Sequence, residues 1–383
     1  MRHKFVLCWK IAVLDFLIQS FCRADDANPT ELLRSDLISQ AQVAYQSSDF
    51  TLAVKLGAEL VDRDRKQFGD IDPVTRGSIA WQRSALEKFG DYSRATELQR
   101  ELVTALETAH GNKHWQVVGD RLLLDELMVV AKMTPAKRQK LTEVRQLMIQ
   151  CRHSIQANSL HEGIQIGNEV AESLQELFGR DCWQIISVLN NLSIAAEKSG
   201  NASDAVGFAE RALQVQTAQF GEAHPETAMC LNTLGSAEIE VGKLEEAESH
   251  FDRAVKIFRT TTSESESSLG LLLNNLGDLH RRQARFDLAI SELRPAIQIR
   301  QSTLGPDHPD MLVSLSNLGV TLSESGELRD ALEIQLRTHR ARVDAIGESG
   351  LDTASSANNI GATYSKLGQF TDSIEWLEKS HDV

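Results

Sequence analysis

A length of 383 residues accommodates two or three globular domains or one extended array, and 42% hydrophobic with 25% charged residues is far from the composition of a disordered chain. The formal net charge of −14 leaves no basic face, on average, to hold nucleic-acid phosphates. With 23 Gly, 7 Pro and only 3 Tyr, the composition points to helices.

The chain opens with a basic start, Arg2, His3 and Lys4, then a largely apolar run from Phe5 to Cys22, and Cys22-Arg23-Ala24 has small residues placed for cleavage. Lys10 and Asp15 interrupt the run. Each costs about 2.5 to 3.5 kcal/mol at the centre of a membrane helix, which disfavours a spanning anchor. Residues 1–24 therefore read either as an export signal, making the protein periplasmic or secreted, or as an amphipathic segment of a cytoplasmic one. No other segment approaches the roughly 18 uninterrupted apolar residues of a membrane span.

From about residue 30 to residue 178 a faint period runs through the chain. Gly69 and Gly111 are 42 apart, Gly90 lies 21 after Gly69 with Ala95 five later, and Asn158 stands 21 before Gly179 with Gly163 five later. Between Gly111 and Asn158 the step is 47 rather than 21, which predicts an extra helix: one over 114–132, then Pro135, then another over about 137–157.

Residues 180–383 carry the period openly. Leu192-Ser193, Leu234-Gly235, Leu276-Gly277, Leu318-Gly319 and Ile360-Gly361 recur every 42 residues. Gly200, Gly242, Ala284, Gly326 and Gly368 follow eight residues after the first member of each pair. Ala205, Ala247, Ala289, Ala331 and Ser373 keep the same step, as do Gly179, Gly221, Ser263, Gly305 and Gly347. Each period thus has two breaks. Between them apolar residues fall at helical spacing, as in Leu231, Leu234, Ala237 and Val241, then Leu244, Ala247, Phe251, Ala254 and Phe258. Each unit is read as two antiparallel helices of some four to five turns, with the glycine of the Leu-Gly pair removing a side chain where the helices cross. One pair cannot bury its apolar face alone; stacked pairs give an all-α superhelical solenoid. The fifth unit has a short last helix and no polar capping helix after it.

Leu234, Gly235, Gly242, Ala247, Phe251 and Ala254 together resemble the tetratricopeptide repeat. The usual period of that repeat is 34. The 42-residue step, Leu-Asn-Asn-Leu-Gly at 273–277 and Gly-x-x-His-Pro at 221–225 and 305–309 are similar to its long-helix, kinesin light chain-like subtype. The resemblance implies a concave groove on the first helices, with the position two before the Leu facing it: Asn190, Asn232, Asn274, Ser316 and Asn358. An amide there in four of five units either grips the main chain of an extended peptide or bonds to neighbouring repeats and braces the array. Met229, Leu271 and Val313 would add apolar pockets, and Asp278 and Arg281 a charged pair.

Cys151, Cys182 and Cys230 are far apart and show no zinc-ligand spacing, so they read as buried free thiols. His224 and His308 precede Pro225 and Pro309 and share a register with Asp72, His114 and Cys182, which places them at helix entries. No phosphate loop, nucleophile elbow or paired-carboxylate motif is present. The expectation is a non-enzymatic scaffold for a protein or peptide, without metal, cofactor, nucleic acid or small-molecule substrate. The alternative is an array serving a larger enzyme or signalling assembly, for example one joined to a caspase-like peptidase.

Overall fold

Helix entries and exits sit where the sequence places capping residues. The computed structural model describes residues 34–261 and 266–381, so the segment 1–24 and Ser263 lie outside the described residues. Among the described residues there are helices and no strand. In chain order they are α1 (Arg34–Gln46), α2 (Phe50–Phe68), α3 (Pro73–Phe89), α4 (Tyr92–His110), α5 (Trp115–Lys132), α6 (Pro135–Gln156) and α7 (Leu160–Phe178). The regular units then supply α8 (Ile186–Lys198), α9 (Ala202–Phe220), α10 (Pro225–Glu240), α11 (Leu244–Thr261) and α12 (Glu266–Arg282). They continue with α13 (Phe286–Leu304), α14 (Pro309–Ser325), α15 (Leu328–Ile346), α16 (Leu351–Lys366) and α17 (Phe370–His381).

The histidines before proline are N-caps. His224 Nδ1 accepts from Glu226 N at 3.1 Å and His308 Nδ1 from Asp310 N at 3.2 Å, while Asp72 does the same for Val74 N at 2.9 Å. At the other end of the first helices the chain turns through positive φ, at +81° for Gly200, +80° for Gly242, +97° for Gly326 and +76° for Gly368. Ala284 holds the same conformation at +57°, as do Ser48 and Asn158, each 42 residues before a glycine of the series.

The chain divides into two compact units, one of residues up to 147 with 173–180, the other of 148–172 with 181–383. In the first, α1 to α5 pack each against the next around Leu37, Ala53, Trp81, Ala85 and Leu127, with a second cluster at Val61, Ile79, Leu102, Leu106 and Val117. Several of its buried polar groups pair with one another. Arg83 donates to Gln99 Oε1 at 2.5 Å, Gln99 donates to Asp120 Oδ1 at 3.0 Å, and Arg145 bridges Glu87 and Glu126.

In the second unit the pairs α8–α9, α10–α11, α12–α13, α14–α15 and α16–α17 follow one another, each second helix also packing on the next first helix. The cores are contiguous: Phe251, Ala254 and Phe258 of α11 meet Leu231 of α10 and Leu272, Leu276 and Leu279 of α12. The crossing glycines have the close contact the sequence suggests. A Cβ on Gly235 would lie 2.9 Å from the Phe251 ring, and one on Gly277 2.7 Å from Leu293 Cγ. Successive first helices also touch one another, α8 with α10, α10 with α12, α12 with α14 and α14 with α16, more closely than second helices do. The first helices therefore form the inner side of this unit. Among the described residues no helix is long and apolar enough to cross a membrane.

Candidate functional site: the inner face of the first helices

Stacking buries most of each first helix and leaves one stripe half-buried at helical spacing. On α8 the stripe is Ser187, Asn191 and Ile194; on α10 Met229, Thr233 and Ser236; on α12 Leu271, Asn275 and Asp278; on α14 Val313, Asn317 and Val320. Read across the helices, these make an apolar row centred on Met229, Leu271 and Val313, and beside it a polar row of Asn191, Thr233, Asn275, Asn317 and Asn359.

This corrects the position expected two before the Leu. Asn190, Asn232 and Asn274 are only 5%, 8% and 5% exposed and lie beneath the groove floor, in the contacts between successive first helices. Ser316 is half-buried and Asn358 exposed. The physical reason is rotation. One residue along a helix turns the side chain by about 100°, so the residue immediately before the Leu faces the groove and its predecessor faces the next unit.

The two positions are joined. Asn275 donates from Nδ2 to Asn232 Oδ1 at 2.8 Å, and Asn317 donates to Asn274 Oδ1 at 3.1 Å. Asn274 in turn donates to Asn275 Oδ1 at 3.2 Å and also accepts from Ser314 Oγ at 2.9 Å. Ser314 Oγ itself accepts from Arg300 Nη1 at 2.7 Å, and the same nitrogen donates to Asp310 O at 2.7 Å. Burial lowers the pKa of the Arg300 guanidinium, and Asp310 offsets part of that. The buried amides of Asn232 and Asn274 thus orient the half-exposed amides of the units that follow them.

The charged end of the stripe is also paired. Arg281 donates to Asp278 Oδ1 at 2.8 Å and to Glu324 at 3.2 Å, so Asp278 and Arg281 form the expected pair and extend it to the next first helix. Lys198, Glu240, Arg282, Glu324 and Lys366 stand 42 apart, and Arg282 donates to Glu240 Oε1 at 3.4 Å. The rim therefore carries both signs of charge.

Cys151, Cys182 and Cys230 are buried free thiols, and burial pushes the Cys230 thiol up to about 12 and that of Cys151 to about 11. Such thiols are poor nucleophiles at neutral pH. Among the described residues no group of three His, Cys, Asp or Glu side chains could hold a metal ion.

Two tetratricopeptide repeat models match the sequence, one over residues 184–260 and 268–342, the other over 353–383. No curated protein matches significantly. Among solved structures, BtubC from P. vanneervenii is similar at 18% identity, covering 58% of this chain and 90% of that one, with a TM-score of 0.49. A Podosopora anserina kinesin light chain-type protein with nearly identical TPR-like repeats is also 18% identical, covering 53% and 97%, with a TM-score of 0.44. YrrB, a TPR protein with an unusual peptide-binding site, has 18% identity, 51% and 84% coverage and a TM-score of 0.33. With its helix pairs, its 42-residue step and the matched models, the segments 184–260, 268–342 and 353–383 are tetratricopeptide repeats.

Proposed function

We propose that the protein is a non-enzymatic interaction scaffold whose inner face holds an extended peptide segment of a partner across α8, α10, α12 and α14. The observation that carries this reading is the row of half-exposed carboxamides at Asn191, Asn275 and Asn317 beside the apolar row of Met229, Leu271 and Val313. An extended chain offers main-chain N–H and C=O groups at regular intervals, and oriented carboxamides can meet both. Apolar side chains of the peptide would settle on the adjacent row, and the mixed rim charges would favour partners that are not uniformly acidic or basic. Each amide bond nets about 0.5 to 1.5 kcal/mol, which suits reversible binding.

The reading is tested by panning the full chain with a random decapeptide display library and locating recovered peptides by hydrogen exchange. Protection concentrated on α10, α12 and α14 supports it. Failure to recover any peptide, or protection confined to the second helices, overturns it.

A further inference from the structure

The row of amides is interrupted once, and the interruption has a definite chemistry. Asn275 shows what an intact rung does: its Nδ2 donates to Asn232 Oδ1 at 2.8 Å, and its Oδ1 accepts from Asn274 Nδ2 at 3.2 Å. The residue 42 before Asn275 is Thr233. Its hydroxyl turns back into its own helix and donates to Met229 O at 3.2 Å.

Two groups that a carboxamide at 233 would engage are left over. Asn190 Oδ1 is buried and, among the described residues, receives no hydrogen bond, although Oδ1 of Asn232 and of Asn274 both do. Asn190 is 5% exposed, and its Nδ2 reaches only Cys230 Sγ, a weak acceptor, at 3.6 Å. Asn232 uses its Oδ1 for Asn275, and its Nδ2 donates to no described protein atom. By the register of the array these two groups flank Thr233 as Asn232 and Asn274 flank Asn275. A buried carbonyl without a donor is a standing cost that a ligand can relieve.

We propose that this place is a subsite for a side-chain carboxamide, the Asn or Gln of a peptide lying in the groove, with its amide nitrogen donating to Asn190 Oδ1 and its oxygen accepting from Asn232 Nδ2. The proposal rests on the groove reading above. Other groups fit less well. A carboxylate brings no donor and repels Asn190 Oδ1, and an ammonium brings no acceptor for Asn232. A trans main-chain peptide unit points its N–H and C=O to opposite sides and does not present the fork of a carboxamide. Thr233 is half-buried on the groove stripe, and threonine in a helix occupies two χ1 rotamers, so in the proposed complex its side chain rearranges as the amide reaches Asn190.

The test pans the same decapeptide library against the full chain, against Thr233→Asn, which supplies the rung internally, and against Asn190→Leu, which removes the acceptor. The native chain should select Gln or Asn at one fixed position, and replacing that residue by Glu or Leu should weaken binding roughly tenfold. Both variants should lose this preference and keep the apolar ones, and Thr233→Asn should melt higher. Should Thr233→Asn fail to fold, Asn190→Leu decides. Groove-bound peptides without an amide preference, or one that persists on the variants, overturn the subsite and leave the groove reading standing. No groove-bound peptide at all overturns both.

Discussion

Asn317 donates from Nδ2 to Asn274 Oδ1 across 3.1 Å and so ties the surface of one repeat to the buried floor of the one before it. Asn274 accepts a second bond from Ser314, which makes its side chain the acceptor for two donors of the next unit. Asn274→Ala should leave both without that partner and lower stability by about 1 to 3 kcal/mol. Asn317→Ala, on the half-exposed row, should cost much less. Urea unfolding of the two variants checks the order; equal midpoints would contradict it.

The crossing glycines differ in what surrounds them. A Cβ on Gly235 meets the ring of Phe251, which is fully buried, whereas one on Gly361 meets Leu377 Cγ at 2.8 Å, on a side chain that is 40% exposed, and the Ser373 backbone oxygen at 3.2 Å. Gly235→Ala should therefore cost about 1 to 3 kcal/mol by overpacking, more than the roughly 1 kcal/mol that alanine gains in helix propensity. Gly361→Ala should cost less than Gly235→Ala, because the Leu377 side chain is half-exposed and the Ser373 carbonyl contact needs only a few tenths of an ångström of adjustment. Thermal melts of both variants separate the two outcomes.

Ala284 occupies at φ +57° the left-handed turn that glycine occupies in the four other units. A Cβ is unfavourable in that conformation by roughly 1 kcal/mol. Ala284→Gly should raise stability by about 0.5 to 1 kcal/mol, and Gly326→Ala should lower it by a similar amount. A denaturation midpoint that moves the other way for either variant would contradict the assigned turn.

Glu248 gives the array an acid-sensitive contact. Arg285 donates to both of its carboxylate oxygens, at 2.8 and 2.6 Å, and Gln283 donates at 3.1 Å. The Arg285 hydrogen bonds are the main cause that holds the Glu248 carboxyl at about 2, below its ordinary 4.5. A carboxyl with a depressed folded-state pKa contributes stability above its ordinary value, and that contribution is lost as pH falls from about 4.5 towards 2. Glu248→Gln should flatten stability against pH over this window, measured by urea unfolding at a series of pH values. An unchanged slope would remove the contact from the account.

The repeat was legible because a residue that must be small, or must turn through positive φ, can be recognised at a fixed step whatever surrounds it. The capping role of His224 and His308 was legible for the same reason, since a proline marks the first turn beside each. Ser48 was not, because serine carries no mark of a left-handed turn; only its 42-residue step to Gly90 identifies it. The groove was read one residue out of place. Asn274 is buried by α14, a neighbour 40 residues further on, and no pattern within α12 reports that. The apolar positions Leu272, Leu273, Leu276 and Leu279 centre on a face almost directly opposite Asn274, so the pattern within α12 turns the wrong amide outward. The missing rung at Thr233 becomes visible only when the bonds of Asn190 and Asn232 are compared with those of their successors.

The central claim, that the inner face holds the peptide, is tested most directly by site-specific photocross-linking. A benzophenone side chain placed at Leu271, on the inner stripe of α12, is compared with one at Arg294, exposed on α13. With a biotinylated peptide selected from the library, covalent capture is expected from position 271 and little from 294. Equal capture from both positions, or capture only from 294, would contradict it.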